Sequence, residues 1–472
     1  MFPNQEIYNL NKQKLLMSLS TFFSPKSVAI IGASHTPGKV GYVIVENFVR
    51  GKFKGKIYPV NPDTSPIFGL KVHKSVLEIG DRIDLAVIAI PAAYVPKIVK
   101  ECVQKKIPSV IIISGGFSET GDHGMLLEDE IKHHLKKSKT RIIGPNCVGV
   151  LDASSKTDTL FLSQDRLVRP SKGNIAFISQ SGAVGSTILD WLSDESVGIS
   201  KFISYGNAID VNEVDLLDFL SKDKETKVIA VYLEGIKSDG KSFLKKLKEV
   251  SGKKPVIILK AGKTDKGTRA VASHTGSLAG SAKIYSGVFK QAGAIEAENW
   301  EELFDFAKAF STQPLPDSNK LAIVTDGGGF GVLAADEAEK QKLLLPDPSK
   351  KIISELRKHF PTYVILRNPI DLTGDANEER YQKTLISVLS SKEYAGVVVI
   401  TLFQVPTLGE PVVEIINSMK KYKKPILCCA VGSQYTRNLV RRLERNGIPV
   451  YSTPEVAVKC FSTLVKYSQM KK

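Results

Sequence analysis

The sequence contains little cysteine, and its few cysteines are not spaced for a special role. Five occur in 472 residues, at Cys102, Cys147, Cys428, Cys429 and Cys460, and their spacing fits neither a disulfide framework nor a paired metal-ligand motif. We therefore expect a reducing, cytoplasmic compartment and no metal site on this chain. Long apolar runs are also missing. None reaches the roughly 18 residues of a membrane-spanning helix, and the first 20 residues lack the apolar core of a signal peptide.

Acidic residues are fewer than basic ones. The 49 Asp and Glu residues face 65 Lys and Arg residues, which gives a formal net charge of +16. Such a charge suggests anionic partners, and nucleic acid is one candidate. The lysines are dispersed, however, and no zinc-finger spacing, RNA-recognition signature or aromatic–basic interleaving is present. A small coenzyme rich in phosphate explains the charge equally well, so we expect no nucleic-acid partner.

The length and the strand pattern predict several α/β domains. A chain of 472 residues exceeds one ordinary core, and about three domains are expected. Short β-branched runs alternate with helical patterns, which indicates parallel sheets. The predicted strands are 27–31, 56–60, 85–90, 109–113 and 140–143, then 174–178, 199–204, 228–233 and 255–259, then 320–324, 396–400 and 425–428. We predict three consecutive parallel-sheet domains over 1–150, 151–311 and 312–472.

Loops at the strand ends of the first domain predict a ligand crevice. The first strand runs into the glycine-containing turn 32–41, which opens a helix, as a phosphate site at a helix N-terminus requires. The glycines do not form a strict G-x-G-x-x-G. The second strand ends in residues 60–62 without the acid that would hold a ribose hydroxyl of NAD, which argues against a dehydrogenase. Loops 90–92, 114–117 and 144–147 follow later strands. Each alone is typical of an ordinary turn; together they predict a crevice for a long phosphate-bearing ligand.

The second and third domains open with similar turns. The second begins with residues 179–182, Ser-Gln-Ser-Gly, called the anion turn below, and the third with the glycine-rich turn 325–331. Hydroxyl and N–H donors at a helix start favour an anion. The alternative for the serines is simple N-capping.

His274 is the candidate nucleophile. It lies in the run 273–280 of small, polar and flexible residues, which predicts a mobile loop. Neutral imidazole is nucleophilic near neutral pH and can carry a phosphoryl group. Glu234, at a predicted strand end, could accept a hydrogen bond from one ring nitrogen and leave the other free to attack. Taken alone, a histidine such as His274 is more often an ordinary loop residue, and an acid such as Glu234 is more often a solvated loop acid.

Taken in order, these motifs resemble a known family. The matching segments are 22–29, 32–41, 143–146, 179–182, 204–207, 273–277 and 371–374. Over essentially its whole length the chain resembles the alpha subunit of NDP-forming acyl-CoA synthetases, of the archaeal ADP-forming acetyl-CoA synthetase type related to succinyl-CoA synthetase. The resemblance implies a Rossmann-like CoA-binding domain followed by two flavodoxin-like ligase domains. It also implies the reaction acyl-CoA + ADP + phosphate ⇌ acid + ATP + CoA, with acetyl-CoA expected, through an acyl phosphate and a phosphohistidine.

The resemblance also implies roles for individual residues. His274 is expected to be phosphorylated and Glu234 to stabilise the phosphohistidine. The residues expected to contact CoA are Gly32, Ala33, Ser34, Gly38, Lys39, Val60, Asn61, Pro62, Lys71, Ile90, Pro91, Ser114, Gly115 and Asn146. Those expected to contact phosphate are Ser179, Gln180, Ser181, Gly182, Gly206, Asn207, Gly328 and Gly329. The helices after Ser181 and Gly329 resemble the paired helices whose N-termini face the phosphate in that family.

The expected partners follow from one difference between this sequence and some members of the family. Some family members fuse an ATP-grasp region to these domains, and we find no Mg²⁺-binding carboxylate set or nucleotide lysine loop in the sequence. We therefore expect ADP or ATP with Mg²⁺ to be bound mainly by a separate ATP-grasp beta subunit, in an α₂β₂ heterotetramer. The substrates are expected to be a small organic acid and its CoA thioester. The alternatives are a non-catalytic CoA-binding or regulatory protein of the same fold, and a nucleic-acid binder.

Overall fold

The structure is a computed structural model that describes residues 19–195, 197–275 and 281–471, with the side chains of residues 272–275 left out. The chain forms two compact units. The first comprises the chain up to Asp194 and again Gly198–Asn299, and the second comprises Glu195–Val197 and the chain from Trp300 onwards. Among the described residues, no helix is both long and apolar enough to cross a membrane.

The first unit begins with a sheet of five parallel strands. Its strands are β1 Ser27–Ile31, β2 Lys56–Val60, β3 Leu85–Ile88, β4 Ser109–Ile112 and β5 Arg141–Ile143, in the order β2-β1-β3-β4-β5. Its helices are α1 Val40–Arg50, α2 Val95–Gln104 and α3 Asp122–Leu135. Strands β1, β3 and β4 are buried throughout, as expected for a parallel sheet covered by helices. The strand order reverses between β1 and β3, so the loops after these strands flank the expected ligand crevice.

The second sheet has seven strands in the order β12-β11-β10-β8-β9-β6-β7. They are β6 Gly149–Asp152, β7 Thr157–Asp158, β8 Lys172–Ser179, β9 Ile199–Ser204, β10 Val228–Leu233, β11 Val256–Lys260 and β12 Ile295–Ala297. Its helices are α4 Gly182–Asp194, α5 Glu213–Lys222, α6 Gly240–Ser251, α7 Asp265–Thr275 and α8 Ala282–Ala292. Strands β8 to β12 run parallel, but β6 pairs antiparallel with β9 and β7 antiparallel with β6. The sheet predicted here as parallel is therefore parallel over β8 to β12 and carries two antiparallel strands, β6 and β7, at one edge.

One hydrophobic cluster spans both sheets of the first unit. It includes Phe48 of α1, Ile143 of β5, Tyr205 after β9 and Phe289 of α8, all of them fully buried. Because close-packed side chains resist displacement, this shared core fixes the loops of one sheet relative to those of the other. The site described below depends on that arrangement.

The second unit holds a six-stranded sheet in the order β14-β15-β13-β16-β17-β18. Its strands are β13 Leu321–Thr325, β14 Ile365–Leu366, β15 Ile370–Asp371, β16 Gly396–Ile400, β17 Ile426–Cys429 and β18 Val450–Tyr451. Its helices are α9 Trp300–Thr312, α10 Gly328–Lys340, α11 Lys350–Arg357, α12 Glu378–Ser390, α13 Pro411–Ser418, α14 Gln434–Arg445 and α15 Pro454–Met470. Strand β14 is antiparallel to β15, and the other strand pairs run parallel.

A buried lysine fastens α9 within the second unit. Lys308 is only 3% exposed. Its Nζ donates to Glu195 Oε2 at 2.9 Å, to Glu444 Oε1 at 3.3 Å and to the Val450 carbonyl at 2.8 Å. Burial raises the pKa of Glu444 to about 7, and it raises the pKa of nearby Asp305 to about 7 as well. The lysine thus holds together a group of acids that are costly to bury as anions.

Candidate functional site

The turn after β1 packs directly against helix α1. A Cβ on Gly41 would lie 1.9 Å from the Gly32 carbonyl oxygen, so no side chain fits there. Gly32 itself has a φ of 89°, which favours glycine. Asn61 Nδ2, at the end of β2, donates to the Ala33 carbonyl at 2.6 Å. These contacts bring the ends of β1 and β2 together around the reversal of the sheet.

A largely apolar cavity of about 340 Å³, called the small cavity, opens at this reversal. Six of the predicted CoA residues line it: Gly32, Val60, Asn61, Pro62, Ile90 and Pro91. Sequence reasoning missed three polar lining residues, Lys74, Ser75 and Glu101. Ser75 Oγ donates to Glu101 Oε2 at 2.7 Å. These residues lie outside the strand-end turns, so no motif marked them.

A second cavity of about 750 Å³, called the central cavity, shares Ile90 and Pro91 with the small one. Its lining includes the predicted CoA residues Ser114, Gly115 and Asn146, together with Gln180, Ser181 and Gly182 of the anion turn. Ser114 Oγ accepts from Ile90 N at 3.2 Å and donates to Ile90 O at 2.5 Å, which ties the loops after β3 and β4 together. The structure therefore brings the strand-end loops of the first sheet to the anion turn of the second.

Five predicted CoA residues lie outside these two cavities. Ala33, Ser34 and Lys39 line neither of them, and Gly38 lines a third, open cavity of about 820 Å³, called the outer cavity. Lys71 lines a separate hollow with Tyr58 and Asp81. The structure does not bring Lys71 to the loops that it was predicted to join.

The anion turn forms the start of helix α4. Val184 N donates to Ser181 Oγ at 3.3 Å, and Ser179 Oγ donates to the Ser181 carbonyl at 2.6 Å. Ser181 therefore caps the helix, the alternative left open by the sequence. Because Ser181 and Gly182 also line the central cavity, the positive end of the helix dipole faces that space.

The side chain of Gln180 holds the backbone that carries Glu234. Gln180 Oε1 accepts from Glu234 N at 2.5 Å and from Gly235 N at 3.0 Å, and Nε2 donates to the Gly235 carbonyl at 2.7 Å. Gln180 was predicted as a phosphate contact, and much of its hydrogen-bonding capacity is used here. Glu234 is 5% exposed, so it is not a solvated loop acid.

Ionisable groups surround Glu234. Burial raises the pKa of Tyr232 to about 12, and the nearby Glu234 charge adds to this rise. Burial also lowers the pKa of Lys260, against the opposing attraction of Glu234. The next residues are held by Glu213, whose Oε1 accepts from Lys237 N and Ser238 N, each at 2.9 Å. The loop of Glu234 is thus fixed from two sides.

Asn207 lies among carboxylates. Its Nδ2 donates to Glu119 Oε2 at 2.6 Å and to Glu128 Oε1 at 2.9 Å, while Glu119 Oε1 accepts from the backbone of Gly116 at 2.6 Å. A Cβ on Gly206, whose φ is 53°, would lie 2.2 Å from the Pro145 carbonyl oxygen. These two residues, predicted to contact phosphate, join β9 to the loops after β4 and β5.

His274 lies in the last turn of a helix. The sequence predicted a loop over 273–280, but helix α7 extends over Asp265–Thr275, so that part of the prediction is wrong. The segment up to His274 contains alanines and an acidic first turn, which favour a helix. Residues 276–280, for which the sequence predicts a mobile loop, lie outside the described residues, as does the His274 side chain. The α7 backbone lies beside the 3-10 helix Ser118–Thr120.

Gly328 and Gly329 open helix α10 of the second unit, and both are exposed. A Cβ on Gly328 would lie 2.7 Å from Asp371 Oδ2. Asp326, two residues before the helix, is 1% exposed and accepts from Leu402 N at 3.0 Å. Burial raises its pKa to about 6. This helix start thus has carboxylates beside it, which the glycine pattern did not predict.

Comparison with known proteins decides the family. Residues 26–153 match the family model of a CoA binding domain, and residues 172–310 match that of a succinyl-CoA ligase like flavodoxin domain. The alpha subunit of acetate–CoA ligase [ADP-forming] I from Pyrococcus furiosus is 42% identical over 463 residues, which cover 96% of this chain and 99% of that protein. The chain belongs to the ADP-forming acetate–CoA ligase family.

Other members of the family agree. The acetate–CoA ligase [ADP-forming] of Methanocaldococcus jannaschii is 45% identical over 95% of this chain, which spans 63% of that protein. The dinucleotide forming acetyl-coenzyme A synthetase 1 of Ca. Korarchaeum cryptofilum, solved in complex with phosphate and ADP, superposes with a TM-score of 0.90 at 36% identity, covering 96% of this chain and 97% of that one. The resemblance drawn from the motifs is confirmed, as is the α/β fold with a CoA-binding domain before succinyl-CoA ligase-like domains.

Proposed function

We propose that this chain is the alpha subunit of an ADP-forming acyl-CoA synthetase, with acetyl-CoA as its thioester. The reaction is acyl-CoA + ADP + phosphate ⇌ acid + ATP + CoA. One observation carries the proposal: the central cavity joins the strand-end loops of the first sheet to the anion turn. A thioester held by the loops and a phosphate held by the turn can therefore meet in one cavity.

The first step forms an acyl phosphate. CoA extends from the small cavity past Ile90 and Pro91 into the central cavity, with its thioester at the anion turn. A phosphate oxygen attacks the thioester carbonyl carbon, the C–S bond breaks, and CoA leaves as the thiolate. The N-terminus of α4 stabilises the negative charge that gathers on the phosphate and the carbonyl oxygen. Most of the thioester's free energy stays in the acyl phosphate.

The second step transfers the phosphoryl group to His274. A ring nitrogen attacks phosphorus, the P–O bond to the acyl group breaks, and the acid leaves as a carboxylate. Glu234 accepts a hydrogen bond from the other ring nitrogen, which fixes the tautomer and stabilises the charged ring. Gln180 holds the backbone of Glu234, and Glu213 holds Lys237 and Ser238 of the same loop, so the position of Glu234 is fixed before the ring arrives. ADP then takes the phosphoryl group from the histidine.

The remaining assignments rest on the family. We assign ADP or ATP with Mg²⁺ mainly to an ATP-grasp beta subunit in an α₂β₂ heterotetramer, because the Pyrococcus furiosus relative is itself named as a subunit alpha. We also propose that the chain has three domains, 1–150, 151–311 and 312–472, and that the protein is cytoplasmic. A histidine that serves the thioester cavity and a nucleotide on another chain has to move, which fits the glycine and serine content after His274.

Phosphate labelling of this chain, alone and with the beta subunit, tests the proposal. Incubation with acetyl-CoA and radioactive phosphate should label the protein with an acid-labile, base-stable phosphate. The His274→Ala variant should lose the label, whereas the variant His123→Ala, at an exposed histidine of α3, should keep it. Full labelling of His274→Ala, or no labelling of the natural chain with either acetyl-CoA and phosphate or ATP, Mg²⁺ and the beta subunit, would refute the proposal.

A further inference from the structure

Residues 160–162, called the partition below, separate two cavities of the first unit. Phe161 and Leu162 line the central cavity of about 750 Å³, and both also line the outer cavity of about 820 Å³. Ser186 of helix α4 is the third residue shared by the two cavities. The partition therefore lies between the central cavity and the outer cavity, beside α4.

Hydrogen bonds to its backbone carbonyls anchor the partition. Asn47 of α1, 1% exposed, donates from Nδ2 to the Leu160 carbonyl at 2.7 Å and to the Leu162 carbonyl at 3.1 Å. Arg169 donates to the same Leu162 carbonyl at 2.7 Å and pairs with buried Asp158 at 2.8 Å. With the carbonyls of Leu160 and Leu162 anchored, the backbone of this short segment is held in place, and Phe161 and Leu162 present an apolar wall to both cavities.

The order of the cavities shows what meets this wall. The small cavity joins the central cavity at Ile90 and Pro91, while the outer cavity joins it at the partition. Ser181 and Gly182 also line the central cavity. If CoA enters from the small cavity and places its thioester at Ser181 and Gly182, the group beyond the sulfur points towards the partition. That group is the acyl chain.

We propose that Phe161 and Leu162 determine the size of the acyl group that this protein accepts. The inference rests on the proposed function and adds the residues that set its substrate range. The wall is apolar, so it favours aliphatic acyl groups, and its fixed position limits their length. Shortening Phe161 should open the central cavity into the outer one and admit longer chains.

Isothermal titration calorimetry on the complete chain tests the role of Phe161 and Leu162 without a partner subunit. The Phe161→Ala and Leu162→Ala variants are titrated with CoA, acetyl-CoA and hexanoyl-CoA. Relative to the natural chain, the ratio of hexanoyl-CoA to acetyl-CoA affinity should rise about tenfold in at least one of them, the order expected for a change of methylenes in an apolar pocket. Phe161→Trp should lower the same ratio. CoA affinity should stay within about twofold, which shows that the variants are folded.

A matched control lies in the same loop. Val168 is 60% exposed and, among the described residues, lines neither cavity; Val168→Ala should leave every affinity unchanged. An unchanged hexanoyl-to-acetyl ratio in Phe161→Ala and Leu162→Ala, with normal CoA binding, would overturn the inference and leave the proposed function standing. Failure of the natural chain to bind CoA at all would overturn the proposed function itself.

Discussion

Gln180 Oε1 lies 2.5 Å from the backbone nitrogen of Glu234 and accepts its hydrogen bond. The residue at the middle of the anion turn therefore positions the residue proposed to orient the histidine. Both are buried, at 7% and 5% exposure. A change at the turn is transmitted to Glu234 through one side chain.

Replacement of Gln180 should slow phosphoryl transfer without weakening CoA binding. The Gln180→Ala variant leaves the N–H groups of Glu234 and Gly235 without their acceptor, a loss of about 1–3 kcal/mol that releases the loop. We expect the rate of His274 phosphorylation to fall roughly 10-fold to 100-fold, with the Kd for CoA within about twofold. Quenched-flow labelling measures the phosphorylation rate, and calorimetric titration measures the Kd for CoA. Gln434→Ala, at an exposed position of α14, is the control, and an unchanged labelling rate in Gln180→Ala would contradict the prediction.

The Asn207→Asp variant separates two roles for this residue. Its amide donates to Glu119 and Glu128, so a third carboxylate there would repel both and loosen the loop at Gly116. We expect the Kd for CoA to rise about tenfold, equal to about 1.4 kcal/mol. If Asn207 contacted phosphate, the substitution would instead raise the KM for phosphate and leave the Kd for CoA unchanged. Titration with CoA and steady-state kinetics with phosphate distinguish the outcomes, and a phosphate effect alone would support the role predicted from the sequence.

Asp326 should make the second unit less stable as the pH rises through about 6. Its pKa is raised by burial from the ordinary 3.8 to about 6, so between these values the folded chain holds a proton that the unfolded chain releases. The stability from this group is present below about pH 4 and is lost as the pH passes 6, with a slope of at most about 1.4 kcal/mol per pH unit. Urea midpoints at several pH values measure it. Asp326→Asn should flatten this slope, whereas Asp336→Asn, at an exposed position of the following helix α10, should not. Equal slopes in both variants would refute the assignment.

Removal of the buried positive charge of Lys308 should destabilise the folded protein more at high pH than at low pH. Lys308→Met leaves Glu444 and Asp305 buried without their counter-charge, a loss of about 3–5 kcal/mol when they are ionised. Burial raises the pKa of each to about 7, so both can take up protons at pH 6 and relieve part of the cost. We expect the fall in thermal midpoint to be larger at pH 8 than at pH 6. A fall of the same size at both pH values would show that these acids do not titrate as described.

Strand ends were predictable from the sequence, and so were the ligand loops at them. Buried parallel strands such as 27–31 are continuous apolar runs, and the residues just after them must lie at one edge of the sheet. That reasoning located Ile90, Ser114 and Gln180 at the cavities. It could not locate Glu101 or Phe161, because a helix residue and a loop residue carry no such pattern.

Other features required tertiary information. Helix α7 reaches His274 because its alanines outweigh the serine and glycine that follow, which composition near His274 alone did not reveal. The hydrogen bonds of Gln180 join the ends of two neighbouring strands of the second sheet, and those of Asn207 reach from the second sheet to the first. No local motif encodes either set of contacts. The antiparallel strand β7 has only two residues, too few for a periodic signal.

Strand β6 has a practical consequence for dissecting the protein. It begins at Gly149, six residues after β5 of the first sheet ends, yet pairs with β9 of the second sheet from Gly149 to Asp152. A fragment that stops at residue 150 would cut this strand in half. The remaining fragment would then have an exposed edge at β9, which promotes aggregation. The CoA-binding and histidine-bearing halves of the first unit should therefore be cloned and exchanged between relatives as a single piece.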